Sequence, residues 1–196
     1  MAMMITLFAL LLSLSAQAPS PMTALLDQGL PWTEYLASTQ QQRETWVRNA
    51  GRSVPDDLVA RLKTAGTGLR LLVVAEDWCS DSVNSIPYLG TLATKAGVDL
   101  RVINAQVGKT LMESHRTPDG RAATPTVLLI RGGKEVAAWV ERPAGLQTWF
   151  VGMTGKIETA ERQQRKLNWY DWSRGDDALK EIVALAEQTA KGSSTP

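Results

Sequence analysis

The chain of 196 residues contains one cysteine, Cys79, and one histidine, His115. A single thiol can close no internal disulfide. A single histidine argues against a histidine-rich metal site or a catalytic Cys-His pair, and His115 reads as a loop or surface residue. No metal or cofactor is expected. Charge of either sign is also scarce in net terms. There are 21 Lys and Arg against 20 Asp and Glu, so no single-sign field is available to draw nucleic acid. Phenylalanine is nearly absent, with two residues, whereas tryptophan occurs seven times. Such rings serve as core anchors or groove walls, and most are expected in the core.

No apolar run is long enough to span a bilayer comfortably. The run Ile5 to Leu14 is short, and Ala16-Gln17-Ala18 follows it as an A-x-A site. This is the pattern of a secretory leader over residues 1–18, cleaved after Ala18, although no Lys or Arg precedes the apolar run. The expected location is periplasmic or secreted, with no stable membrane span after cleavage. In an oxidising compartment a lone thiol is either reactive or an inert buried residue.

After the leader, residues 19–66 read as a helical lead-in. Pro19 to Pro21 is a linker, and Pro31 suits a first helical position. Trp32, Tyr35, Leu36, Thr39, Trp46 and Val47 fall on one helical stripe. Asp56 and Asp57 open a second helix, where its dipole favours acids. Gly68 to Ala75 is a near-continuous apolar run, as expected of a strand buried on both faces. It feeds the turn Glu76-Asp77-Trp78-Cys79-Ser80-Asp81-Ser82 and then a helix with Val83, Ile86, Leu89 and Leu92 on its core face. Pro87 should kink that helix. Gly90 should weaken it by roughly 1 kcal/mol relative to alanine.

A strand over Val98 to Asn104 and a short helix over Gly108 to His115 come next. Then Ala123-Thr124-Pro125 leads into the strand Thr126 to Ile130, and the Thr-Pro step is a candidate cis peptide. Gly132 and Gly133 mark a hairpin turn, and Glu135 to Glu141 is the partner strand. Helices are expected over Ala144 to Met153, Ile157 to Trp169 and Ala178 to Lys191, ending in a frayed tail at 192–196. The class is α/β: a core over residues 67–155 and a helical extension over 156–191. Arg162, Arg165, Lys166 and Arg174 interleave with Trp169, Tyr170 and Trp172. Four acids dilute that patch, so an exposed face with packed aromatics is expected rather than a lipid or nucleic-acid site.

The set of motifs resembles the thioredoxin superfamily. A buried strand precedes Trp78-Cys79, Pro87 lies eight residues after the cysteine, Thr124-Pro125 lies 46 residues after it, and the glycine hairpin follows. More narrowly, the chain looks like bacterial thioredoxin-like proteins with a Glu-Asp-Trp-Cys-x-Asp-Cys or -Ser segment. Leu111-Met112 and Arg142-Pro143 also match that group. The resemblance implies a thioredoxin-like fold, a central mixed sheet flanked by helices.

The chemistry at the corner is then expected as follows. Cys79 sits at a helix start, where unpaired N–H groups and the helix dipole favour a thiolate. Ser82, one turn on, can donate a hydrogen bond to that thiolate but cannot resolve a mixed disulfide. Asp81 opposes the thiolate. By the resemblance, Pro125 faces Cys79, Thr124 offers a backbone edge to an extended substrate, and Trp78 gives a flat contact surface. The family's relay aspartate is replaced by Val73. Glu76 is the candidate proton relay in its stead, against the plainer reading of a solvated turn residue. The leading expectation is a monothiol protein exchanging with protein or small-molecule thiols and disulfides. The alternative is a redox-inactive binding module that keeps the groove around Trp78, Thr124 and Pro125.

Overall fold

A computed structural model describes residues 20–192. The leader-like segment 1–18 and the tail beyond Gly192 lie outside the described residues. Helix α1 (Pro21–Gln28) already starts where a linker was expected. Ser20 caps it, its Oγ accepting from Thr23 N at 3.2 Å, and Pro21 occupies the first turn, where its missing N–H costs nothing. Strand β1 (Leu30–Pro31) follows, so Pro31 lies at a sheet edge and caps α2 (Trp32–Ser38) rather than opening a helix.

The expected single stripe is two helices, α2 and α3 (Arg43–Ala50), separated by a break at residues 39–42. Gln42 takes a positive φ of 52° there. The break resets the helical phase. Trp32, Tyr35, Thr39 and Trp46 stay buried, but Val47 is turned outward and is 48% exposed. Helix α4 (Asp56–Ala65) completes the lead-in and buries Leu58, Leu62 and Ala65.

The core follows as β2 (Leu69–Val74), α5 (Ser80–Ala96), β3 (Asp99–Ile103), α6 (Lys109–Ser114), β4 (Thr126–Arg131) and β5 (Lys134–Val140). Helices α7 (Ala144–Gly152), α8 (Thr159–Ser173) and α9 (Asp176–Gly192) form the extension. The five-stranded sheet has the order β1-β3-β2-β4-β5, with β2 parallel to β3 and antiparallel to β4. It is the mixed sheet of a thioredoxin-like fold, with extra helices at both ends. Gly132 and Gly133, at φ 54° and 72°, make the hairpin turn between β4 and β5.

Alternation along β2 divides the core in two. Leu71 and Val73 face the larger cluster with Leu129, Val127, α5 and α9. Leu72 and Val74 face the smaller one with Leu128, Ile130, Ile103 and Leu26 of α1. In α9, Leu179, Ile182, Val183 and Ala186 are buried on one face, as the spacing predicts.

Gly90 shows how packing overrides local propensity. A Cβ placed there would lie 2.1 to 2.5 Å from three atoms of the Trp32 indole. Gly90→Ala, which propensity alone would favour, is therefore expected to destabilise by about 1–3 kcal/mol through overpacking. Urea unfolding checks the sign. A stabilised variant would show that Trp32 can move aside.

Candidate functional site

The corner between β2 and α5 is clamped from below. Asp77 Oδ2 accepts from the backbone N–H groups of Gln40 and Gln41, both at 2.9 Å. Trp46 Nε1 donates to Asp77 O at 2.9 Å, and Gln42 Nε2 donates to Trp78 O at 2.6 Å. The break between α2 and α3 thus supplies the groups that hold the turn. Glu76 Oε1 accepts from Ala105 N at 2.7 Å, tying the same turn to the loop after β3. The Tyr35 hydroxyl is buried near this turn with no protein partner. Its pKa is pushed well above the usual tyrosine value, first by burial and then by Asp77, Glu76 and Cys79.

Cys79 caps α5 in an extended conformation and makes no side-chain cap bond. Its Sγ lies 3.3 Å from Thr124 O, and the S–H donates to that carbonyl. The Thr124–Pro125 peptide is cis. Glu141 N donates to Pro125 O at 2.7 Å, so the end of β5 is joined to the same loop. Pro125 is buried and Thr124 half-buried. Ser82 is fully buried and its Oγ has no protein partner, so it does not bond the sulfur. Trp78 alone among these groups stands out, 57% exposed.

These contacts overturn the expectation of thiol exchange. Exchange requires a thiolate that can approach a disulfide sulfur in line. Cys79 is only 9% exposed, and its Sγ faces Thr124 O at 3.3 Å rather than solvent. It is the only cysteine in the chain, so no second thiol stands near it. The helix start is where it was expected, but the loop bearing the cis-proline closes over the sulfur from 45 residues away.

Asp81 also departs from its expected role. It is buried, and it is held by three groups rather than left to oppose the sulfur. Arg142 Nη2 lies 3.0 Å from Oδ2, Lys166 Nζ 3.2 Å from Oδ1, and Tyr170 OH donates to Oδ1 at 2.8 Å. Arg142 continues to Glu141 at 2.6 Å, and Glu141 to Arg121 at 2.8 Å. Lys166 Nζ also donates to Ser80 Oγ at 2.8 Å. The Arg142 guanidinium lies 4.3 Å from the centroid of Phe150. Burial, and then the Asp81 charge, raises the Tyr170 pKa well above the usual tyrosine value, so the hydroxyl remains a donor.

Sequence reasoning singled out the Arg142-Pro143 step only through resemblance and took Lys166 as part of an exposed face. The available signal was in α8. Its buried residues are Lys166, Tyr170 and Ser173, with no aliphatic stripe. A helix of that composition must dock through polar groups.

The tryptophans divide more evenly than expected. Trp32, Trp46 and Trp139 are buried, Trp149 and Trp169 are half-buried, and Trp78 and Trp172 are exposed. His115 ends α6 and its Nε2 lies 2.7 Å from Glu135 Oε1. Among the described residues no helix is long and apolar enough to cross a membrane.

Two solved structures share the fold. One is a protein of unknown function from Pseudomonas aeruginosa, with a TM-score of 0.65 and 18% identity over 88% of this chain and 99% of that one. The other is an HIV epitope-scaffold, with a TM-score of 0.63 and 19% identity over 85% of this chain and 97% of that one. At such identities the likeness concerns the fold. No curated protein matches the sequence. A family profile described as thioredoxin matches residues 29–162, from just before β1 into α8. With the mixed sheet, the cis-proline loop and the Trp-Cys corner in place, the chain belongs to the thioredoxin family.

Proposed function

We propose that the protein is a redox-inactive thioredoxin-fold module that binds an extended peptide across Trp78, Thr124 and Pro125. One observation carries this reading: the sulfur is buried and bonded to Thr124 O while the adjacent Trp78 indole stays open to solvent. Cys79 is then dispensable for binding. Thr124 offers the main-chain edge and Trp78 the flat apolar surface that extended peptides use. Ser82 and Glu76 have no proton to move in such a module. Glu76 instead holds the turn through Ala105 N. The Glu-Asp-Trp-Cys-x-Asp-Ser segment supports kinship with the narrower bacterial group that carries such a corner. The leader-like residues 1–18 support action in the periplasm or outside the cell.

Selection from a random peptide display library, followed by calorimetry, tests the site. Cys79→Ala is expected to retain affinity within about twofold. Trp78→Ala is expected to lose at least tenfold, about 1.4 kcal/mol, as exposed aromatic anchors do. Loss of binding in Cys79→Ala, or full binding in Trp78→Ala, would sink the reading.

A further inference from the structure

Glu141 has a positive φ of 65°, a conformation that residues other than glycine rarely adopt. Arg174 shares it, but Arg174 ends a helix, where a left-handed residue is ordinary. Glu141 follows a strand instead. Arg142 N donates to Val140 O across it at 2.9 Å, closing a three-residue turn of the rare, strained kind. The residue is also buried, with 3% of its surface exposed. Strain of this sort persists only where the surrounding contacts over-determine it, and it gathers at binding sites.

Two arginines enforce the turn. Arg121 grips the Glu141 carboxylate with both prongs of its guanidinium, Nη1 to Oε1 at 2.9 Å and Nη2 to Oε2 at 2.8 Å. Arg142 Nη2 donates to Oε1 at 2.6 Å. Bidentate, charge-assisted bonds are the strong ones. With the side chain fixed in this way, the Glu141 N–H meets Pro125 O at 2.7 Å, one step beyond the ladder pair of Thr126 and Val140.

One residue thus pins both ends of the segment from Arg121 to Pro125: its carboxylate holds Arg121 and its N–H holds Pro125. Thr124 lies within that segment, and its carbonyl covers the Cys79 sulfur. Arg142 carries the tie across the groove. The same Nη2 donates to Asp81 Oδ2 at 3.0 Å, at the start of the helix that Cys79 caps. The two walls of the groove, the Trp78-Cys79 corner and the Thr124-Pro125 edge, are therefore joined through Glu141.

We propose that Glu141 is the positioning residue of this groove: its carboxylate and its strained turn together hold the segment from Arg121 to Pro125 over Cys79, and so set the gap that an extended peptide enters. The effect on a peptide rests on the reading of Trp78, Thr124 and Pro125 as a peptide site. The hold over the sulfur stands apart from it. A glutamate that only added stability would leave access to Cys79 unchanged in the folded chain.

The folded chain is treated with iodoacetamide, and alkylation of Cys79 is followed by mass spectrometry. Affinity for a peptide selected on the wild-type protein is measured by calorimetry. Glu141→Ala is expected to label roughly tenfold faster than the wild type, through local opening of the loop. It should also bind the peptide roughly tenfold more weakly. Glu141→Gly keeps the positive φ without strain and should label more slowly than Glu141→Ala. Arg121→Gln changes an exposed side chain and should speed labelling about threefold. It decides the matter if the Glu141 variants do not fold. Leu62→Ala truncates a buried side chain of α4, lowers stability without touching the turn, and should label near the wild-type rate.

The proposal is overturned if Glu141→Ala, or Arg121→Gln in its place, labels no faster than Leu62→Ala. It is overturned equally if Glu141→Gly labels as fast as Glu141→Ala. Faster labelling with unchanged peptide affinity overturns the control of the gap. If no peptide binds the wild type, the peptide reading fails, and the labelling rates alone decide whether Glu141 holds the loop.

Discussion

Replacing Asp81 with alanine is expected to lower the stability of the fold by about 3–5 kcal/mol, the usual cost of leaving a buried charge without its partner. Asp81 sits at the start of α5 with Arg142, Lys166 and Tyr170 on its two oxygens. All three charged side chains are almost wholly buried. Removing the carboxylate leaves the Lys166 ammonium with Ser80 Oγ as its hydrogen-bond partner and Arg142 with Glu141 as its ion-pair partner, both beside the Phe150 ring. It also strips the Tyr170 hydroxyl of its acceptor.

The loss should be felt most in α8, whose buried residues are the two Asp81 partners and Ser173. Urea unfolding gives the free energy. Amide exchange should show α8 opening well before β2 in the variant. The triple variant Asp81→Leu, Arg142→Met, Lys166→Met should recover most of the stability, because it removes the charges together rather than orphaning them. Glu141 keeps Arg121 in that background. A change of less than about 1 kcal/mol in Asp81→Ala would show that water screens the three groups, as it does for exposed pairs.

The second large effect is expected at Trp46. Its side chain is fully buried, edge-on to Tyr35 at 5.5 Å and tilted against Trp32 at 6.4 Å. Trp46→Ala should cost about 3–5 kcal/mol through the cavity it leaves. It should also free the corner, since the indole N–H is the donor to Asp77 O. Trp46→Phe separates the two contributions. It retains much of the ring volume but leaves that carbonyl only the long Gln42 Nε2 contact at 3.5 Å, at a cost of about 1–3 kcal/mol. Both variants should weaken peptide binding at Trp78 under conditions where the chain is still folded. Unchanged binding in Trp46→Phe would show that Gln42 and Asp77 hold the turn without the indole.

Much of the architecture was legible because it is written in local patterns. The apolar run of β2 reports burial on both faces, which is what a central strand between β3 and β4 experiences. Gly132-Gly133 reports a turn that needs positive φ twice. The Thr124-Pro125 step and the helix-start cysteine stood at the spacing of a known corner. The misses have a common cause. Helix α1 carries a weak pattern and is secured by a distant contact, Ser20 Oγ to Gly133 O at 2.9 Å. The break between α2 and α3 is stabilised by Asp77, some 36 residues away.

The sequence by itself determined the alternation of elements, the place of the Trp78-Cys79 corner and the absence of a second thiol. Periodicity, turn chemistry and residue counts are properties of neighbours along the chain, so they survive without coordinates. Only the tertiary structure decided whether Cys79 is reachable, whether Asp81 is a free charge, and whether Gly90 is a weakness or a requirement. Each of those depends on what a remote segment places against the residue: Thr124 on the sulfur, Arg142 and Lys166 on the carboxylate, Trp32 on the glycine. Burial and pairing set the energy of a thiol or a carboxylate, and both are fixed by long-range packing that no local pattern encodes.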